Sequence, residues 1–184
     1  QELCDHLNFN VSTTYRILGT LEDYGYVSRL KNKKYVVGTQ ALYLSAIYTQ
    51  SNHLEQIRPI VDRIRDISGE TASFFVEEDN MRICLYRAHS RDEIRHNIEL
   101  GSRLELNRGG AGRIILAYGK RKNDKKGFYK DIRDKGYYLS INEHNASLFA
   151  LAVPVVSNSD KFVGAIVVSG PISRCDDEKN CILD

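Results

Sequence analysis

The segment that decides the N-terminal fold runs from Ser12 to Gly38 and reads STTYRILGTLEDYGYVSRLKNKKYVVG. Its first half predicts a helix, because apolar or small side chains recur on one face at the helical period, at Val11, Thr14, Leu18 and Leu21. Gly25 then stops the helix, and the short runs 26–28 and 35–37 flank a lysine-rich turn, as in a β-hairpin. A short helix is also predicted over 1–7. Together, this helix, the helix that follows it and the hairpin predict a winged helix-turn-helix over 1–38.

The polar side of the predicted reading helix is typical of a surface that contacts DNA. Small hydroxyl side chains and an arginine suit base edges and phosphates, while the opposite face is needed for packing. Asn10 or Ser12 is expected to cap the helix, so that the amides of its first turn can meet a phosphate. The residues assigned to DNA binding are Ser12, Thr13, Tyr15, Arg16 and Thr20 on the helix, and Lys31, Lys33 and Lys34 at the tip of the hairpin. The alternative is an ordinary amphipathic helix followed by a solvated hairpin, because short matches to this motif often arise by chance.

Composition narrows the classes of function further. With 184 residues and 42% hydrophobic content, the chain is long enough for one or two packed domains. A net charge of +2 excludes a general polycation but permits local basic surfaces. One such surface is the hairpin tip, and a second basic segment, which begins at Lys120, is predicted to be a solvated helix and loop. No apolar run reaches the ~20 residues of a membrane span and no signal segment begins the sequence, so we expect a cytoplasmic protein with no membrane partner.

Cysteine and histidine spacing gives no sign of a metal site. The cysteines are scattered, at Cys4, Cys84, Cys175 and Cys181, and the five histidines are not spaced as ligands. We therefore expect free thiols, no metal and no cofactor.

After the hairpin the sequence predicts a helical linker over 39–69. Its second helix contains Pro59 and ends at Gly69. Helices in this place form a dimer seam or pack only within the chain, and the pattern does not choose between the two.

From about residue 70 the apolar residues alternate, which predicts strands. A hairpin is expected around Asp79 and Asn80, another strand over 94–100, and a closing pair over 148–156 and 162–169. Helical stretches interrupt these strands, from Gly112 to Tyr118 and from Asp124 to Lys135. The domain over 70–184 is therefore predicted to be α+β, with a largely antiparallel sheet.

The segment RGGAGR, from Arg108 to Arg113, is the most chemically suggestive part of this domain. Consecutive glycines before an apolar helix let a ligand approach the backbone, and the amides at the helix start attract a carboxylate or phosphate. The segment lacks the lysine of a P-loop and the third glycine of a dinucleotide fingerprint. Tight packing of a strand against a helix is the alternative interpretation.

Motifs spread over nearly the whole chain combine into one pattern. They are Ser12-Thr13, Arg16, Leu18, Leu21-Glu22, Gly25-Tyr26-Val27, Tyr35, Gly38, Gly69-Glu70-Thr71, Gly101, Leu104, Gly112, Leu116-Ala117, Ile132-Arg133, Gly136-Tyr137, Glu143, Ala152-Val153-Pro154-Val155 and Val168-Ser169-Gly170-Pro171. In this order and spacing they resemble the IclR family of bacterial transcriptional regulators.

The resemblance implies a winged helix-turn-helix domain over 1–38, the linker over 39–69, and a GAF-like domain over 70–184 that binds a small effector. It implies a homodimer or dimer-based tetramer that binds operator DNA and represses or activates nearby operons, without enzymatic activity. The effector pocket that it implies comprises His96, Gly110, Ala111, Ser140, Ala150, Val167 and Ser169. Ala150 and Val167 stand where some members have polar groups, so we expect a less polar pocket.

The sequence departs from the family pattern in three places. The first helix expected before Gln1 is absent, the segment between Ala117 and Ile132 is short, and the final helix expected after Asp184 is absent. We expect residues outside this numbering to account for all three.

Two other functions compete with a DNA-binding regulator. The glycine-rich turn would also suit a small-molecule or nucleotide-binding enzyme domain, although no set of nucleophile, base and orienting residue supports one. A ligand sensor that uses the helix-turn-helix to contact another protein is the third possibility. If the first 50 residues or so bind DNA on their own, both alternatives are disfavoured. We expect the effector of the regulator to be a small organic acid or related polar metabolite.

Overall fold

The computed structural model describes residues 2–51, 54–119, 127–143 and 147–175. The chain divides into two compact units, Gln1–His53 and Leu54–Asp184. The basic segment that begins at Lys120, the helix start predicted at Asp124 and Cys181 lie outside the described residues.

The first unit, called the reading head after the role predicted for it, has three helices and one hairpin in its described residues. In chain order its elements are α1 (Glu2–Leu7), α2 (Val11–Asp23), β1 (Val27–Arg29), β2 (Tyr35–Val37) and α3 (Gln40–Ser51). Gly25 has a φ of 74°, a left-handed conformation that glycine adopts easily, and this conformation prevents α2 from continuing. The amide of Gly38 donates to the carbonyl of Tyr26 at 2.7 Å, which closes the hairpin. The head therefore has the predicted order of helix, helix and wing.

The second unit, called the effector unit, mixes helices with one sheet. Its elements are α4 (Leu54–Ser68), β3 (Thr71–Glu78), β4 (Met81–Ala88), β5 (Arg103–Glu105), α5 (Gly109–Tyr118), α6 (Phe128–Lys135), β6 (Tyr138–Ile141), β7 (Leu148–Val156) and β8 (Phe162–Pro171), followed by a 3-10 turn, Ile172–Arg174. The strands form a six-stranded sheet in the order β5-β4-β3-β8-β7-β6, and every neighbouring pair is antiparallel. The predicted α+β class with an antiparallel sheet is confirmed.

Two apolar clusters cover opposite faces of this sheet. Phe75 of β3 packs with Ile114 and Ile115 of α5. Its neighbour Phe74 packs on the other face with Val61 of α4. Successive strand residues point to opposite faces, so this pair alone predicts that the sheet lies between two helical layers.

Helix α4 belongs to the effector unit. It buries Leu54, Ile57 and Val61 against strand residues such as Ala72. The segment predicted as a linker, 39–69, is therefore divided, with α3 in the reading head and α4 in the effector unit.

Two sequence expectations are wrong. Residues 94–100 form no strand, and the short strand nearby is β5. Cys175 is disulfide-bonded, whereas the buried Cys4 and Cys84 are free thiols, so the expectation of free thiols fails for Cys175. Among the described residues, no helix is long and apolar enough to cross a membrane.

Candidate functional site

The reading helix α2 is capped by Asn10 rather than by Ser12. The Asn10 side chain accepts a hydrogen bond from the amide of Thr13 at 2.7 Å, and the Ser12 hydroxyl donates to the same oxygen at 3.0 Å. Thr14 is buried and donates from its hydroxyl to the Asn10 carbonyl. The cap fixes the first turn of α2, and the buried Thr14 defines the face that packs inward.

The five helix residues assigned to DNA binding are distributed around the outer side of α2. Ser12, Tyr15, Arg16 and Thr20 are exposed and Thr13 is half-buried. The hydroxyl of Thr20 donates to the Arg16 carbonyl at 3.1 Å, so it is directed along the helix. No described residue pairs with the Arg16 guanidinium, which leaves the charge available to a phosphate or base edge.

The lysines of the wing lie together on the turn between β1 and β2. Lys31, Lys33 and Lys34 are all exposed. The turn is held by hydrogen bonds from Lys33 N to Leu30 O and from Lys34 N to the Asn32 side chain. Lys33 has a φ of 65°, a conformation that asparagine tolerates better than most residues. Three exposed lysines thus lie on one hydrogen-bonded turn.

The seven residues predicted to bind an effector converge on one cavity of the effector unit. His96, Gly110, Ala111, Ser140, Ala150, Val167 and Ser169 all line it, together with Phe75, Arg82, Arg87, Ile98, Gly109, Leu148 and Phe149. Its volume is about 30 Å³. In the same measure, a single water molecule needs roughly 10–15 Å³. The walls therefore suit a compact molecule.

Strand register explains how distant residues meet on the sheet side of the cavity. Ala150 of β7 lies directly opposite Ser140 of β6 and Ser169 of β8. Cross-strand neighbours have Cβ atoms only about 5 Å apart, so two hydroxyls flank one methyl group in a row. The Ser169 hydroxyl also lies 3.1 Å from Nδ1 of His96, which belongs to the irregular segment before β5.

The start of α5 forms the opposite side of the cavity. Gly109 has a φ of 70°, and a Cβ added to Gly110 would lie 2.9 Å from the Cβ of Ala152. The glycines therefore allow both the sharp entry into α5 and its close approach to β7. Arg108, the residue before the helix, makes no side-chain capping bond, so the first amides of α5 have no cap from it.

Sequence reasoning missed two arginines of the cavity. Arg82 and Arg87 of β4 line it, and they are 4% and 6% exposed. Desolvation lowers the pKa of Arg82 to about 10, and it lowers the pKa of Arg87 as well. At neutral pH Arg82 is therefore still a cation. Ala150 and Val167 form apolar walls, but two charges also face the cavity from β4.

The comparisons with known proteins agree on one family. Residues 46–130 match the family model described as the C-terminal domain of the bacterial transcriptional regulator IclR. The transcriptional repressor IclR of Escherichia coli is 26% identical over 204 aligned positions, covering 97% of this chain and 74% of that protein. The regulator BhcR of Paracoccus denitrificans is also 26% identical, over 97% of this chain and 72% of its own length.

The chain is similar to IclR-family regulators along nearly its whole length.

The fold comparison agrees with the sequence comparisons. The crystal structure of Pseudomonas aeruginosa HmgR is similar, with a TM-score of 0.83 at 19% identity, over 92% of this chain and 80% of that one. The two curated relatives are named as a transcriptional repressor and a transcriptional regulator, so the sequence similarity favours a regulatory protein. Within the described ranges, no group of three or more metal-ligating side chains is placed to hold a metal ion.

Proposed function

We propose that this regulator senses a small organic acid in the cavity between α5 and the sheet, and that binding of the acid changes the affinity of the reading head for operator DNA. The observation that carries this proposal is the convergence of a helix start, two serine hydroxyls and apolar walls on one compact cavity. A few placed polar groups within apolar walls are typical of metabolite pockets.

The acid is favoured over a neutral metabolite by the groups around the cavity. Backbone amides at the start of α5 carry partial positive charge, which stabilises a carboxylate. Ser140 and Ser169, both 3% exposed, each place a hydroxyl at the cavity, and the Ser169 hydroxyl also lies 3.1 Å from Nδ1 of His96. Ala150 and Val167 cover the carbon skeleton. A volume of about 30 Å³ favours a short-chain acid over a sugar or a nucleotide.

The DNA side of the proposal assigns different tasks to helix and wing. Arg16, with Ser12 and Thr13, contacts base edges, because these residues lie on the polar side of α2. Lys31, Lys33 and Lys34 contact phosphates, because they project from an exposed turn. Tyr15 and Thr20 complete the surface from the same helix.

A second copy of the chain completes the DNA-binding unit. One small head offers too few base contacts for selective binding in a genome, so the regulator works as a homodimer or dimer-based tetramer on a palindromic or repeated operator. Sedimentation of a stable monomer that still protects one half-site at full affinity would overturn this part of the proposal.

A filled cavity tests the effector site. Ala111 is only 1% exposed and packs in the core, so a large residue there would disturb folding as well as fill the cavity. Ala150 is half-buried at the cavity wall and is therefore the better position for a substitution. Ala150→Leu should remove the thermal stabilisation given by short-chain carboxylates, which for the wild type reaches about 2.7 kcal/mol at ~100 times the dissociation constant.

Val153→Leu is the matched control, because Val153 lies on the same strand and is 37% exposed. It should respond to the acids as the wild type does. Equal stabilisation of the wild type and Ala150→Leu would show that the acid binds elsewhere.

A further inference from the structure

A bulge in β4 brings two arginines to the same cavity. Residues five apart on a regular strand point to opposite faces, so Arg82 and Arg87 would not meet on one face of an unbroken β4. The register of the pairing with β3 shifts between Phe74 and Phe75. Phe74 lies opposite Tyr86 and Phe75 lies opposite Cys84, so Leu85 has no partner residue on β3. This shift moves Arg87 to the face that carries Arg82, and both line the cavity.

No described residue forms a hydrogen bond or an ion pair with the guanidinium of Arg82. Its Nε is fully buried without a hydrogen-bond acceptor, and its charged group lies 5.5 Å above the ring of Phe75. The cross-strand neighbour, Glu77, makes no ion pair with it. An unpartnered charge of this kind destabilises the free protein, because it has lost water and gained no acceptor.

Arg87 is held by neutral groups alone among the described residues. Its Nε donates to the Ser73 hydroxyl at 2.9 Å, and its Nη1 donates to the carbonyls of Ile98 at 2.9 Å and His96 at 3.4 Å. These bonds fix the irregular segment that contributes His96 to the cavity. They orient the guanidinium but leave its charge uncompensated.

Nothing else at the cavity supplies the missing negative charge. Cys84 lies between the two arginines in sequence and on the same face, but burial raises the pKa of its thiol, so it stays neutral at pH 7. The other lining side chains in the described residues are apolar, hydroxyl or imidazole groups. Two buried cations therefore face a cavity without an acid.

We propose that the effector is a compact dicarboxylate, with one carboxylate bound by Arg82 and the total charge balanced by Arg82 and Arg87 together. This inference rests on the proposed function, since it assigns a ligand class to the same cavity. A monocarboxylate satisfies the amides of α5 and leaves Arg82 without an acceptor. A dicarboxylate satisfies both, and each end of the molecule then has its own donors.

Calorimetric titration of the full-length wild type with matched ligands tests the charge requirement without any substitution. The ligands are oxalate, malonate, succinate and glutarate, each compared with its monoamide, which has nearly the same shape and one charge fewer. The best dicarboxylate should bind about 30-fold or more tightly than its monoamide, which corresponds to about 2 kcal/mol. Equal affinities, or binding of monocarboxylates alone, would overturn the inference.

Substitution of Arg82 tests the residue. Arg82→Gln should bring the dicarboxylate and its monoamide to about equal affinity, and Arg82→Lys should keep part of the preference because it keeps the charge. Arg103→Gln is the control, since Arg103 is a half-exposed arginine of β5 that pairs with Glu78 and Asp79. If Arg82→Gln does not fold, the comparison of each dicarboxylate with its monoamide on the wild type still decides whether the second charge is required.

The outcomes separate this inference from the proposed function. If Ala150→Leu abolishes acid binding while Arg82→Gln binds dicarboxylates like the wild type, the cavity is the effector site and the role of Arg82 is wrong. If Ala150→Leu binds every acid unchanged, the proposed function fails together with this inference.

Discussion

The reading head and the effector unit use their apolar side chains in different ways. The effector unit has two clusters of buried residues, one on each face of its sheet. In the head, Cys4 is the one described apolar side chain that is buried, and a groove is lined by exposed or half-buried apolar residues including Leu7, Phe9 and Ile17. A unit that buries little apolar surface has little stability to lose. The head is therefore expected to tolerate a backbone distortion less well than the effector unit, which has two buried clusters.

The largest expected effect comes from Gly38, where the chain closes the hairpin of the head. A Cβ at this position would lie 2.1 Å from the carbonyl oxygen of Gly25. Gly38→Ala should therefore abolish operator binding, measured by fluorescence anisotropy, while effector binding measured by calorimetry stays unchanged. Gly19→Ala is the control, because a Cβ on Gly19 of α2 meets nothing within 4 Å. It should stabilise the helix by about 0.5–1 kcal/mol. A parallel loss of effector affinity in Gly38→Ala would show that the substitution also disturbs the effector unit, and it would contradict the view that the two compact units fold separately.

A smaller effect is expected on the reading helix. Arg16→Ala should cost about 1–3 kcal/mol on the cognate operator, because an arginine without a described partner is available to a base edge. The measurement is a competition between operator and random duplex. An equal loss on both duplexes would show that Arg16 contacts phosphate only. Arg16 would then not contribute to the sequence selectivity of the head.

The smallest effect is expected at the wing. Lys33→Asn removes one charge and keeps a residue that tolerates the φ of 65° found there. Affinity for all duplexes should fall by a similar factor, and the slope of log affinity against log salt should become shallower by about 0.9, the value for one phosphate contact. An unchanged slope would remove Lys33 from the interface.

The sequence predicted the head well because its signals are local. Helix α2, the stop at Gly25 and the hairpin each depend on residues close together in the chain. The resemblance to the family also supplied the cavity residues, although Ser140 and Ser169 meet only through two strand pairings that no local pattern encodes.

The failures have physical causes that lie in tertiary structure. Residues 94–100 alternate like a strand, but in the structure the carbonyls of His96 and Ile98 accept from Arg87 instead of pairing with a strand. The bulge that turns Arg87 toward the cavity depends on the pairing of β3 with β4, so the sequence spacing of the two arginines pointed to opposite faces. The available signal in the sequence is the presence of Arg82 and Arg87 within a largely apolar strand.

The most direct test of the account is the effect of a bound acid on operator affinity. Anisotropy titrations of a labelled operator, with and without the best-binding carboxylate, should show a change of about 5- to 150-fold for the wild type, the usual range of allosteric coupling. Ala150→Leu should bind the operator as tightly as the effector-free wild type and show no change on addition of the acid. An Ala150→Leu protein that responds to the acid as the wild type does would contradict the claim that the cavity controls DNA binding.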